Sequence, residues 1–224
     1  MRFDLSRLPR AGGRPSTIPL LLPELRGHLP ALTEQDLQEA VVRTWQQARQ
    51  AGDHVEIPSE QRFAWALDWL GCPDEAGALA AQLSRLHAEA VCGAAILEPA
   101  QRDALARLGE GRTLVLVSNF DHGPAARGLL QDLGVTKAFE RILISAEVGL
   151  RKPHQGIFQA ALGGLEGEAL MVGDDLKADI AGAQALGLDT AWIQRPGKAL
   201  KEGSPAPTLI ARDLVHLAEQ LQSR

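Results

Sequence analysis

The sequence predicts an α/β protein: a parallel-sheet core with helices on both faces, carrying an inserted all-α block. Three observations predict it. From Gly111 onward, short and wholly apolar runs alternate with helical stretches. From about Pro19 to Leu108 the pattern is almost entirely helical. The polar residues of the second half collect directly after the apolar runs, where open α/β sheets bind their ligands.

The apolar runs are residues 113–117 (TLVLV), 141–144 (RILI), 169–172 (ALMV), 190–193 (TAWI) and 208–211 (TLIA). Runs this short and this uniformly apolar are expected as strands covered on both faces, hence a parallel sheet wrapped by helices. Pro124 near a first helical turn and Gly134 beyond the last one frame a crossover helix. In the helical half, Thr33 and Asp36 form a capping-box-like pair opening a helix to residue 51, with Leu37, Val41, Val42, Trp45 and Ala48 near helical spacing. Gly52 is its expected stop. A second helix opens at Ser59 with a stripe of Phe63, Ala66, Leu67 and Leu70, a third covers residues 73–90, and Pro99 starts another. Trp45, Trp65 and Trp69 are expected in the core of this block. The domain expectation is therefore residues 1–18 and 100–224 as the α/β core and residues 19–99 as the helical insert.

At 224 residues, 45% hydrophobic and 23% charged, the chain can bury a substantial core. A net charge of −5 offers no electrostatic footprint for nucleic acid or an anionic membrane. No apolar run approaches the roughly 20 residues of a membrane span, and the opening MRFDLSRLPR lacks the apolar stretch of a secretory signal. The two cysteines, Cys72 and Cys92, read as buried thiols of a reducing compartment, with a disulfide as the alternative. The expected address is cytoplasmic, with no nucleic-acid or membrane partner, as a monomer or homodimer.

Three strand ends carry groups suited to phosphate chemistry. The first run ends in Ser118-Asn119-Phe120-Asp121. A hydroxyl and adjacent amides at a strand-to-helix turn can hold a phosphoryl oxygen, or can simply cap the helix. After the second run comes SAEVGLRKPH, in which Lys152 either reaches into the cleft to stabilise phosphoryl charge or lies solvated at the surface. The third run ends in Gly173-Asp174-Asp175, with Asp179 following. Carboxylates at a strand mouth are hard oxygen ligands that suit magnesium. The competing expectation is that Asp175 caps the next helix and Asp179 lies on its solvated face. His122 is expected in an exposed loop.

Order and spacing are more specific than the parts. The stretches VSNFD, SAEVGLRKPHQGIF and VGDDLKADIAGAQALG resemble the second, third and fourth motifs of the haloacid-dehalogenase-like hydrolases, over about residues 111–195. The helical insert matches in position and length the cap of that superfamily's first subclass. The resemblance implies a Rossmann-like core with an all-α cap and a Mg2+-dependent hydrolase acting on a small phosphorylated substrate through an aspartyl-phosphate intermediate. It also implies roles: Ser118 and Asn119 bind the phosphoryl group, Lys152 bridges nucleophile and phosphate, and Asp174 and Asp179 serve the metal. Gly173 and Gly182-Ala183 would be backbone and packing positions.

The family's first motif, F-D-x-D-G-T, has one counterpart, Phe3-Asp4-Leu5-Ser6-Arg7-Leu8. The resemblance assigns Asp4 as nucleophile and metal ligand, where the family has a strand central to the sheet. Only Met1 and Arg2 precede Phe3, and the alternative for Asp4 is a solvated residue of a frayed N-terminus. Ser6 replaces the second aspartate. Serine cannot act as the general acid and base near neutral pH, and loss of such a group typically costs about 10²–10⁴-fold in rate. A start or frame that misses the motif, a degenerate motif and a modified reaction are all compatible with this. Two other functions follow as alternatives: a catalytically impaired or silent relative, and a 2-haloacid dehalogenase, against which the Asp174-Asp175 pair speaks.

Overall fold

The computed structural model describes residues 2–11, 13–50, 52–72 and 77–222. The chain divides into two compact units, Met1–Ile96 with Phe120–Leu133, and Leu97–Asn119 with Gly134–Arg224.

The first unit is mainly helical: α1 (Ile18–Arg26), α2 (Glu34–Gln50), α3 (Ser59–Trp69), α4 (Ala78–Gly93) and α6 (Gly123–Asp132), with short ribbons β1 (Arg2–Phe3), β2 (Arg10–Ala11), β3 (Arg14–Pro15) and β4 (Ala95–Ile96). Its core joins Leu21, Leu22 and Leu25 of α1 to Leu37 of α2, Phe63 and Leu67 of α3, and Leu83 of α4. The capping box of α2 is realised. The Thr33 amide and hydroxyl both donate to Asp36 Oδ2 (3.0 and 2.6 Å), and the Asp36 amide donates to Thr33 Oγ1 at 3.1 Å. The hydroxyl contact holds the Asp36 carboxyl below its ordinary value. The expected ends of the α2 helix at residue 51 and of the third helix at residues 73–76 lie outside the described residues.

The buried stripe of α2 differs from the expected one. Leu37, Ala40 and Thr44 face inward, spaced three, four and seven residues apart, whereas Val42 and Trp45 lie at the surface. Thr44 tolerates burial because its hydroxyl donates to the Val41 carbonyl at 2.8 Å. Nor are the tryptophans a core set: Trp65 is half-buried, and Trp45 and Trp69 are exposed. Arginine explains the last two, since the guanidinium of Arg62 stacks over Trp45 and that of Arg43 over Trp69, 3.8 and 4.8 Å from the ring centres. Cys72 and Cys92 are both free and half-buried.

The second unit holds the predicted parallel strands: β5 (Val115–Ser118), β6 (Arg141–Ile144), β7 (Leu170–Gly173), β8 (Asp189–Ile193) and β9 (Leu209–Ala211). All five sit where the apolar runs placed them, within a residue or two. β5 pairs in parallel with β6, and β8 lies between β7 and β9, again in parallel. The connecting helices are α5 (Pro99–Gly109), α7 (Ser145–Val148), α8 (Gln155–Leu162) and α10 (Leu214–Gln222), with a π-turn at Leu176–Ala181 running into α9 (Gly182–Gln184). One apolar cluster joins Ala104 and Leu108 of α5 to Ala191, Ala211, Leu217 and Ala218. Another joins Ile157, Phe158 and Ala183, with Val117 of β5 and Met171 of β7 packed on it. Burial is uneven across the strands. Thr190, Ala191 and Trp192 of β8 are buried, while every residue of β5 and β7 is half-buried. The reason is topological: β8 has two strand neighbours, and β5 and β7 have one each among the described residues.

The stretch carrying Asp4 does not enter a parallel sheet. Arg2 and Phe3 pair antiparallel with Ile96 and Ala95, and the Asp4 amide donates to the Ala94 carbonyl at 2.7 Å. The central parallel strand expected before Asp4 is therefore not formed among the described residues.

Candidate active site

The carboxyl ends of β5, β6 and β7 bring together four of the residues singled out from the sequence. Asn119 follows β5, and its side chain clasps the backbone of Lys152 from both sides. Asn119 Nδ2 donates to the Lys152 carbonyl (2.9 Å), and the Lys152 amide donates to Asn119 Oδ1 (2.8 Å). The Lys152–Pro153 peptide in this turn is cis. Lys152 is not a solvated surface lysine. Its Nζ donates to the carbonyl of Val117 and pairs with Asp179 Oδ1, both at 2.8 Å, with the two side chains only 11% and 6% exposed.

Asp179 is likewise buried rather than on a solvated helix face. Its Oδ2 accepts from the amides of Asp174 and Asp175, each at 3.0 Å, so the carboxylate ties the turn after β7 to Lys152. Gly173 makes this possible by close approach and not by an unusual φ. A Cβ there would lie 2.2 Å from Asp179 Oδ2 and 2.4 Å from its Cβ. Asp175 caps the following helix, its Oδ1 accepting from the amides of Lys177 and Ala178 at 2.8 Å. Gly182 packs where a Cβ would meet Phe158 and Pro153 at 2.9 Å.

Asp174 differs from its neighbours. Its carbonyl accepts from Trp192 Nε1 at 3.1 Å, and its Oδ2 pairs with Arg195 Nε. Trp192 and Arg195 were not singled out from the sequence as site residues, although both follow the rule that strand ends carry the chemistry. Ser118 ends β5 opposite Ile144 of β6. It does not cap the following helix: His122 does, its Nδ1 accepting from the Ala125 amide at 3.1 Å. His122 is therefore half-buried and structurally engaged.

Asp4 lies in the first unit. Its carboxylate caps a 3₁₀ turn at Leu5–Arg7, with Oδ1 accepting from the Ser6 amide (3.2 Å) and hydroxyl (2.6 Å) and Oδ2 lying 3.6 Å from Arg7 Nε. Also in this unit, Arg62 pairs with Asp121, and the Ser59 amide donates to the Asp121 carbonyl at 2.9 Å. Buried Ser59 and Ser84 share a 2.6 Å hydrogen bond.

A family model described as haloacid dehalogenase-like hydrolase matches residues 22–187. The chain belongs to this family. Among curated relatives of this haloacid dehalogenase-like hydrolase, a ribulose-1,5-bisphosphate 5-phosphatase of Halopiger xanaduensis is 48% identical over 64 residues, 27% of each chain. A phosphoserine phosphatase of Thermus thermophilus is 38% identical over 100 residues, 42% of this chain and 40% of the relative. The chain thus matches less than half the length of these two relatives. In fold it is similar to a 2-haloacid dehalogenase from Pseudomonas syringae, with a TM-score of 0.71 at 24% identity over 92% of this chain and 88% of the other.

Among the described residues no three His, Cys, Asp or Glu side chains converge on one point. Magnesium does not require such a group, since it keeps several waters and is held through one or two carboxylates plus substrate phosphate. Of the three carboxylates after β7, those of Asp175 and Asp179 accept from backbone amides, whereas Asp174 pairs with an exposed arginine. The chemistry of Asp174 therefore fits a hard divalent cation.

Proposed function

We propose that this haloacid dehalogenase-like hydrolase is a magnesium-dependent phosphatase of a small phosphorylated metabolite, with residues 19–99 acting as its cap. The observation that carries the reading is the fixing of Lys152 at the mouth of the parallel strands. An ammonium has three donors, and Val117 and Asp179 take two of them. The third is the donor that this reading gives to a phosphoryl oxygen, alongside the Ser118 hydroxyl. Asn119 then acts by holding the Lys152 backbone, and Asp179 by holding its ammonium and the Asp174-Asp175 amides. Asp174 is the carboxylate that would hold magnesium, which when bound neutralises phosphoryl charge and orients the ester. The names of the two phosphatase relatives support a phosphate ester as the substrate class.

Asp4 takes the nucleophile's part in this reading, on its resemblance to the first motif. Its carboxylate oxygen would form a bond to phosphorus as the ester oxygen leaves, and water would then cleave the acyl phosphate to release inorganic phosphate. Ser6 cannot protonate the leaving alkoxide, so turnover is expected to be slow and best with leaving groups that need no proton. The test is magnesium-dependent hydrolysis of an aryl phosphate by the wild-type chain and by Asp4→Asn. Hydrolysis lost in the variant is expected. Equal rates in the two proteins sink the assignment of Asp4.

One observation favours a second reading, a catalytically impaired or silent family member. β1 lies in an antiparallel ribbon, and the Asp4 carboxylate is occupied by Ser6. Magnesium binding without any hydrolysis of the aryl phosphate is the outcome that selects it.

A further inference from the structure

Two cations serve the carboxylates after β7, and they are paired in different ways. Lys152 and Asp179 are buried together and tied into the backbone on both sides. Asp174 and Arg195 pair in the open, with side chains 38% and 64% exposed. Two further partners of Asp174, besides Asp179, come from β8 and the turn that follows it. Trp192, only 2% exposed and in register with Gly173, fixes the Asp174 carbonyl through its indole N–H. Three residues later Arg195 reaches back to the carboxylate. The strand thus supplies a rigid anchor for the Asp174 main chain and a long, solvated counter-ion for its side chain.

We infer that Arg195 is a built-in counter-ion of Asp174 that competes with a divalent cation for this carboxylate and so sets the affinity of the site. The inference rests on Asp174 as the magnesium ligand. An exposed ion pair is weak and screened by salt, so a divalent ion can displace it. The buried Lys152–Asp179 pair cannot be exchanged in this way, because separating it strands a charge away from water. The guanidinium keeps the carboxylate satisfied when no cation is bound. It also makes occupancy dependent on ionic strength.

The experiment is calorimetric titration of magnesium chloride into the full chain, at low and high ionic strength, with four proteins: wild type, Arg195→Gln, Asp174→Asn and Lys201→Gln. Lys201 lies on the same loop, where its amide donates to Ser204 Oγ at 3.1 Å, and serves as the matched loss of one positive charge. Arg195→Gln is expected to bind magnesium about two- to fivefold more tightly at low salt. That gap should narrow at high salt, Lys201→Gln should bind as wild type does, and Asp174→Asn should lose binding. Unchanged or weaker binding in Arg195→Gln overturns the inference and leaves Asp174 standing as the ligand. So does equal tightening in Lys201→Gln. Undiminished binding in Asp174→Asn, or no binding by any of the four, overturns the ligand assignment and the inference together.

Discussion

Lys152 and Asp179 form a buried ion pair, Nζ to Oδ1 at 2.8 Å, that joins the turn after α7 to the segment after β7. Each partner also binds main chain: Lys152 the Val117 carbonyl, Asp179 the amides of residues 174 and 175. One ion pair thereby sets the relative positions of three strand ends.

Removing one partner leaves a buried charge alone, at a cost of about 3–5 kcal/mol. Lys152→Met and Asp179→Leu are each expected to lower the melting temperature by about 6–20 °C. The double variant should lose less than the two single losses added together, because the stranded charge is gone. Calorimetric melting of the four proteins measures this coupling, and strict additivity would show that the pair carries no energy of its own.

Gly173→Ala acts on the same turn by sterics alone. The new Cβ would overlap Asp179, so the carboxylate must leave the amides and Lys152. Overpacking of this kind typically costs about 1–3 kcal/mol, and the displaced ion pair adds to it. Gly164, where a Cβ meets nothing within 4 Å, has φ +72 and so tests only backbone strain. Thermal melts should show Gly173→Ala as the more damaging change of the two.

His87 gives the helical unit a dependence on pH. It is half-buried, shares a 2.8 Å hydrogen bond with Thr17 Oγ1, and meets Phe63 edge-on. Burial pulls its pKa below the ordinary 6.5, while the nearby Asp121 carboxylate works the other way and the Arg62 and His122 charges reinforce the fall. Below about 6.5 the unfolded chain binds a proton that the folded chain refuses. Stability is therefore complete above that pH and falls as pH drops toward the lowered native value. Melting temperatures between about pH 7.5 and 5 should show this decline, and His87→Gln should flatten it. An unchanged slope in the variant assigns the decline to other groups.

Cys92 should be a slow thiol. Burial, with Asp132 and Glu89 nearby, pushes its pKa from 9.0 up to about 11, and its Sγ lies 3.6 Å from the Ala125 carbonyl. Its thiolate fraction at pH 8 is about a hundredfold below that of an ordinary cysteine. Iodoacetamide labelling followed by peptide mass analysis should find Cys92 modified at a correspondingly low rate, and rapid modification would contradict the raised pKa.

The sequence by itself determined the five parallel strands, because continuous apolar runs of four or five residues suit no other element so well. It also placed Ser118, Asn119, Gly173 and Asp174 at the carboxyl ends of those runs, and it marked the Thr33–Asp36 cap and the departure of the first motif at Ser6. The partners of Asp174 and Asp179 become visible only in the folded chain. Asp175 caps a helix as the sequence allows, but Asp179, expected at a metal or on a solvated face, is buried against Lys152, and Asp174 faces an exposed arginine. Periodicity cannot distinguish Asp174 from Asp179, because their partners come from distant parts of the sequence: Trp192 and Arg195 for Asp174, and Lys152 for Asp179. The tryptophans misled for the same reason: Trp45 matches a core stripe by spacing and Trp69 is expected in the core with it, but the guanidinium groups of Arg62 and Arg43 cover them at the surface. Asp4 shows the limit most clearly. Its neighbours resemble a catalytic motif, but Arg2 and Phe3 pair antiparallel with Ile96 and Ala95, a partner that local sequence does not reveal.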